Sequence, residues 1–295
     1  MAPSEDNQAQ LDWERKFARP TAAAAFASSL FLVANTVLVQ ALVLADRPAS
    51  DRGVLLAIDD EAGAFLASGV VQGLNYLALG VVLWYLFQAT RHRRSELPSW
   101  AIWLVYLGPI MFAVASLLSS IDRIDVAEQF ASDGVTEGRA GERRAENLLE
   151  ERGVVPVALG AAGTLALAFS LVLVNLNAMR AGLLSRFLGI IGMIVGALYV
   201  LPLFGGPLIV QIFWLGALGA VFLGFWPGGR GEAWQTGKTG TWLSAAEQRR
   251  QAMRATADRE DAGGEDAGGE ALHGARLPEP DDPPPPRKRR KKRKG

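Results

Sequence analysis

Cysteine is absent from the 295-residue chain. Disulfides, thiolate metal centres and a cysteine nucleophile are excluded with it. Histidine is almost as scarce, and His92 and His273 fall in separate segments, so neither a histidine zinc set nor a serine–histidine relay can be assembled. Charge is missing in a more informative way. The chain holds 30 basic and 30 acidic side chains, yet the central parts of its long apolar runs contain no Asp, Glu, Lys, Arg or His. Ionisable groups at membrane depth mark ion pathways and proton relays, so their absence argues against ion coupling. Nothing here points to an enzyme, a metal or a cofactor.

What is present is hydrophobicity gathered into runs of membrane length. A helix needs about 20 apolar residues to cross roughly 30 Å of hydrocarbon. Six runs meet that pattern, predicting an all-α polytopic membrane bundle with transmembrane helices near 21–45, 64–90, 100–121, 154–178, 187–204 and 207–227. The first run is too long for a cleavable signal and reads as a retained helix. Pro109 follows Gly108 inside the third, where a missing backbone donor predicts a kink. Pro156 falls in the first turn of the fourth, where proline is tolerated.

Basic residues fix the expected orientation. Arg15, Lys16 and Arg19 precede the first run, the cluster Arg91 to Arg94 follows the second, and Arg180 and Arg186 occupy the turn between the fourth and fifth. Short loops rich in Lys and Arg stay on the cytoplasmic side, which predicts both termini inside. Trp100 and Trp103 then suit the headgroup level at the start of the third helix. The acidic loop 46–63 and the polar stretch 122–152 fall outside. Within the latter, 139–152 carries Glu and Arg at helical spacing and predicts an exposed helix. Residues 1–19 read as a polar cytoplasmic segment, 20–228 as the six-helix domain, and 229–295 as a low-complexity cytoplasmic tail too poor in apolar residues to bury a core. Three crossings per half is also the arithmetic of an inverted repeat, although the halves share no residue-level similarity.

Several motifs invite a function. Gly69 and Gly73, Gly192 and Gly196, and Gly216, Ala220 and Gly224 recur at four-residue spacing, the pattern by which helices in lipid approach closely. Amides lie at membrane depth: Asn35, Gln40, Gln72, Asn75 and Gln211. Gln72 and Asn75 share a helix face with Tyr76 beside them, and the five make a candidate patch for a small neutral or zwitterionic ligand. Hydrogen bonding between helices is the plainer reading. Asn175 and Asn177, at the end of the fourth run, read as interface residues. Gly237-Lys238-Thr239 lacks the glycine spacing and the preceding strand of a phosphate loop. Asp122, Asp125 and Glu128 step by three and read as a solvated helical face rather than a cation site.

The most specific feature is terminal. Arg287, Lys288, Arg289, Arg290, Lys291, Lys292, Arg293 and Lys294 form an unbroken basic run, a candidate polyanion-binding segment. Near a leaflet each such charge contributes about 1 kcal/mol toward anionic lipid. Nucleic acid or ribosome is the less favoured partner, since no aromatic residue interleaves to stack on bases. Deleting 287–294 is expected to abolish salt-steep binding to anionic liposomes by the tail on a soluble carrier. Equal binding with and without the run would show that it engages neither lipid nor RNA.

The stretch NAMRAGLLSRFLGIIGMIVGAL, residues 177–198, resembles the bacterial integral membrane proteins grouped as domain of unknown function 4386. The resemblance covers about residues 20 to 228, and the six-helix layout with a long external loop before the fourth helix fits it. It implies a bacterial cytoplasmic-membrane protein and carries no activity or functional residues. The expected function is a non-enzymatic membrane protein whose tail engages anionic lipid or a cytoplasmic partner. A small-solute transporter or channel using the amide patch is the alternative. The lipid bilayer is the expected partner, with anionic headgroups at the basic run.

Overall fold

The computed structural model describes residues 5–43, 50–150, 153–201, 208–227, 229–240, 242, 250 and 253. The chain divides into units 1–243 and 244–295. In the second, Arg250 and Met253 alone are described, so the basic run 287–294 and the acidic repeat before it lie outside the described residues. The first unit is built of α-helices: α1 Glu5–Val37, α2 Asp51–Asp60, α3 Ala62–Arg93, α4 Ile102–Ser132, α5 Gly138–Glu150, α6 Val154–Arg180, α7 Arg186–Val200, α8 Leu208–Leu223 and α9 Glu232–Thr236. Among the described residues there is no β-strand.

Among the described residues four helical stretches, Asn7–Ala41, Ala62–Arg93, Ser99–Ser132 and Val154–Arg180, are long and apolar enough to cross a membrane, whereas Arg186–Val200 and Leu208–Leu223 are shorter. Their surfaces support the same reading. Leu66, Val70, Leu74, Leu77 and Val81 form an exposed stripe along α3, and Tyr106, Ile110, Val114, Leu117 and Ile121 another along α4. A water-soluble monomer rarely exposes apolar surface on that scale; facing lipid, it is the expected outer face of a bundle.

The longest connected core joins α1, α3, α6, α7 and α8, with Trp214, Tyr85, Phe87 and Phe222 fully buried. Glycine sets the helix spacing. Gly69 and Gly73 put α3 against Ser116, Ser120 and Ala113 of α4, and Gly192 and Gly196 put α7 against Asn175 and Ala168 of α6. The third predicted set fails: Gly216 faces open space and Gly224 ends α8 at φ +81°. It is Gly219, one register away, that receives the Phe26 ring.

The α6–α7 turn follows from its local chemistry. Gly182 adopts φ +77°, and Leu183 N–H donates back to the Ala178 carbonyl at 2.9 Å, the wrapped carbonyl pattern that closes a helix C-terminus on glycine. Ser185 then accepts from Leu188 N–H at 3.2 Å and starts α7.

Elsewhere the helices overrun the predicted bounds. The first begins at Glu5 rather than after Pro20 and passes through that proline uninterrupted. One lost hydrogen bond is offset because Leu11, Glu14 and Ala18 on the polar side of Pro20 are buried against the bundle. Residues 1–19 are therefore, from Glu5 onward, part of the helical body. The third predicted helix continues past 121 to Ser132, and Pro109 is absorbed within it, packed on Gly80 of α3. Asp125 and Glu128 lie exposed on this extension.

The stretch 46–63, read as a loop, contains α2, capped by Ser50 accepting from Gly53 N–H at 3.1 Å. Its Leu55 and Ile58 meet Ala127 and Phe130 of α4 and Ala145 and Leu148 of α5 in a second core. Arg144 ties α5 to Asp133 at 2.6 Å, and Glu142 accepts from Asp51 N–H at 3.1 Å. So the described part of the predicted external stretch, 122–150, is half a helical cap, and α2 is the other half. The end of the bundle bearing α2 and α5 is called the cap end below, and the opposite end the Arg93 end.

Candidate functional site

Of the five amides singled out from sequence, three enter one neighbourhood. Gln72 Nε2 donates to the Tyr76 hydroxyl at 2.9 Å. Asn75, fully buried, accepts from Ser28 of α1 at 2.6 Å through its side-chain oxygen. Gln211 of α8 accepts from the Tyr199 hydroxyl of α7 at 2.8 Å. The two tyrosines bring these pairs together: their rings lie 6.4 Å apart, and Phe112 of α4 stacks on Tyr76 at 4.4 Å while lying 5.8 Å from Tyr199. Asn35 is half-buried, and Gln40 is exposed in the π-helical turn Leu38–Val43, so they are not part of this cluster.

The cluster is incompletely satisfied. Gln72 Oε1, Asn75 Nδ2, Gln211 Nε2 and, one turn on in α8, Trp214 Nε1 are buried atoms that no group of the described protein hydrogen-bonds. A buried polar atom left unpaired costs about 1–3 kcal/mol. Each is thus a polar atom that a group bringing its own donor or acceptor could satisfy, and Asn175 Oδ1, outside the cluster, is unpaired in the same way.

Phe112 also floors a cavity of about 450 Å³ at the cap end. Phe65 of α3, Ser120 and Asp122 of α4, Leu148 of α5 and Thr164 of α6 are among its walls. A volume in the range of small-molecule sites therefore stands directly above the tyrosine–amide cluster, with one ring between them.

A second constellation closes the Arg93 end. Arg93, with no side-chain exposure, grips the Glu14 carboxylate with both terminal nitrogens at 2.5 and 2.9 Å. It also donates to the Ala233 carbonyl through Nε at 3.1 Å and Nη2 at 2.7 Å, and to Ala89 at 2.8 Å. Five guanidinium hydrogens in a planar fork suit a hub of this kind. Trp234 lies 5.6 Å from Arg93 and 5.7 Å from Arg230, stacks on Tyr85 at 5.8 Å, and donates Nε1–H to the Leu183 carbonyl at 2.8 Å. Tyr85 in turn donates to the Glu14 carbonyl at 2.9 Å. Residues 230–240 thus fold back over α1, α3 and the α6–α7 turn. Gly237-Lys238-Thr239 takes a structural part in this: Gly237 ends α9 at φ +71°.

An open cleft of about 680 Å³ beside it carries Arg93, Arg94 and Arg180 with Glu96 and Glu232. Arg93 and Arg94 are already paired with Glu14 and Glu96, so the cleft presents little unneutralised positive charge. Asn175 and Asn177 donate to the Leu171 and Leu173 carbonyls of their own helix, α6, and Asn175 also packs on Gly192 of α7. Among the described residues no three of His, Asp and Glu converge to hold a metal.

Tyr199, Phe112, Ser28 and the Glu14–Arg93 pair escaped sequence reasoning. For Glu14 a signal existed, since Leu11, Glu14 and Ala18 lie on one helix face. For Tyr199 none did, because its partner is on another helix. No protein-family model, curated protein or solved structure matches the chain.

Proposed function

We propose that the protein is a six-crossing bacterial cytoplasmic-membrane protein, with both termini inside, that binds and passes a small neutral or zwitterionic solute. The carrying observation is Phe112, which is at once the floor of the cap-end cavity and a stacking partner of Tyr76 above the unpaired amides. With the Arg clusters inside, the cavity faces out. The clasp around Arg93 and Trp234 then closes the inner end, giving an outward-facing arrangement of a path through the bundle. Arg186–Val200 and Leu208–Leu223 complete the crossings, at about 1.5 Å per residue, if the bilayer thins around them or flanking residues extend them. Kinship with the proteins grouped as domain of unknown function 4386 belongs to the same proposal and rests on residues 177–198.

The test is flux. Proteoliposomes are subjected to gradients of urea, glycerol, glycine and L-leucine and followed by light scattering, with counterflow of labelled leucine for slow exchange. Faster equilibration than in empty vesicles for at least one solute is expected, slowed about tenfold or more in a Gln72→Leu, Gln211→Leu double variant, as when a site's polar partners are removed. Identical traces with and without protein for all four solutes would overturn the proposal.

A further inference from the structure

Toward the Arg93 end, one face of α3 changes from apolar to basic along its length. Leu77, Val81, Trp84, Gln88 and Arg91 recur at three- and four-residue steps and stay exposed or half-buried, while Val82, Leu83, Tyr85, Leu86, Phe87 and Ala89 between them are buried. From Leu77 to Arg91 this outward stripe covers about 21 Å at 1.5 Å per residue, the depth of one leaflet. Beside its apolar half runs a groove of about 210 Å³ between two helices, walled by Leu77, Gly80 and Val81 of α3 and by Val105, Tyr106, Pro109 and Ile110 of α4. Trp84 closes the groove. The same indole is a wall of a second cavity, of about 410 Å³, whose other walls are Gln10 and Trp13 of α1 and Gln88, Arg91 and His92 of α3.

The second cavity is polar and positive. Gln10 donates to Glu14 at 2.9 Å, and His92 Nε2 lies 3.1 Å from the Asn7 side-chain oxygen. Glu14 itself is held by Arg93. Among the described residues nothing accepts from the Arg91 guanidinium or the Gln88 amide, so the cavity offers free donors and has no carboxylate among its walls. Trp13 meets Trp84 edge-on at 5.5 Å, and Phe17 meets it at 5.8 Å with Lys16 over the Phe17 ring, also at 5.8 Å. Indoles flanked by cations suit the headgroup level of a bilayer.

From this order along α3 we infer a binding site for one anionic phospholipid, with its phosphate and headgroup against Arg91 and Gln88, and an acyl chain laid past Trp84 into the α3–α4 groove. A soluble anion would use only the polar cavity, and an apolar helix only the groove. A basic pocket continuous with a lipid-facing groove fits a molecule that is charged at one end and apolar at the other. The site requires only that the bundle lie in a bilayer. Its loss would leave the proposed solute path untouched, and absence of flux would leave the site.

The delipidated full chain is reconstituted into equimolar phosphatidylglycerol and phosphatidylcholine of matched acyl chains and extracted in mild detergent. Lipid retained per protein is then measured by mass spectrometry. Phosphatidylglycerol is expected to exceed phosphatidylcholine roughly tenfold, the effect of one charge-assisted contact. Arg91→Gln should remove that preference and Arg91→Lys keep part of it. Arg19→Gln, at an exposed position of α1 outside the cavity, should leave it intact. Val81→Trp fills the groove from its lipid-facing side and should lower retention of both lipids. The run 287–294 is present in every variant, so differences among them do not arise from it. No preference in the parent, or equal losses in Arg91→Gln and Arg19→Gln, would overturn the inference in favour of bulk charge attraction. Displacement of phosphatidylglycerol by sn-glycerol 3-phosphate would reduce the site to one for a free phosphate. A dimer lost in Val81→Trp, with no lipid retained by the parent, would assign the groove to a second copy of the chain.

Discussion

Arg93→Ala is expected to destabilise the protein by about 3–5 kcal/mol, the cost of leaving a buried carboxylate without its cation. Glu14 is 2% exposed and the Arg93 side chain 0%, so water cannot take the guanidinium's place without opening the end of the bundle. The loss should be read as an early, broadened thermal melt in detergent. It should also free residues 230–240, exposing Trp234 to quenchers, because the Ala233 carbonyl loses both guanidinium hydrogen bonds. Removing both charges together, Glu14→Leu with Arg93→Met, is expected to recover much of the melting temperature, since a buried pair often gives little net stability over an apolar one. Recovery of the melt without recovery of Trp234 protection would separate charge burial from attachment of the 230–240 segment. An Arg93→Ala protein melting with the parent would show that the pair is solvated in the membrane-embedded state.

Gly192→Ala should cost about 1–3 kcal/mol, a penalty of the size seen when a packed interior is overfilled. The added methyl would fall inside the carboxamide of Asn175. That side chain is fully buried and donates to the Leu171 carbonyl at 2.8 Å, so it has no other place to go. Asn175→Ala in the same chain should restore the melting temperature, because it vacates the contested volume. Gly216→Ala is the internal comparison: nothing lies within 4 Å of its added carbon, and its melt should match the parent. Equal effects at 192 and 216 would mean that helix propensity, not close approach of α6 and α7, governs these glycines.

Much of the bundle could be read from residues that act locally. The α6–α7 hairpin needs only Gly182 and Ser185 to break and restart the helix, and both are explicit in sequence. The α5 helix likewise declares itself by side chains at helical spacing. What could not be read depends on distant partners. The ten residues of α2 look like an acidic loop until Leu55 and Ile58 find Phe130 and Leu148. Pro20 looks like a boundary until Leu11, Glu14 and Ala18 are pinned by α3. Counting Arg93 only as an orienting charge hid its pairing with a carboxylate 79 positions earlier. At the candidate site, Gln72 and Asn75 were visible as one face, and Gln211 as a lone amide. Their assembly required Tyr199, which carried no signal. Asn35 and Gln40 share the chemistry but belong to the end of α1 and its π-helical turn, where that face leaves the cluster.

The clasp at Arg93 joins an earlier stretch of the chain to one about 140 residues later. Glu14 and Arg93 emerge early, but the Ala233 carbonyl and the Trp234 indole that complete their surroundings come only after the last apolar helix. Until then the guanidinium has the Glu14 carboxylate and the Ala89 carbonyl as its partners. Completion of the clasp is therefore marked by a single late event, the burial of Trp234, which distinguishes a chain folded through residue 234 from any shorter one.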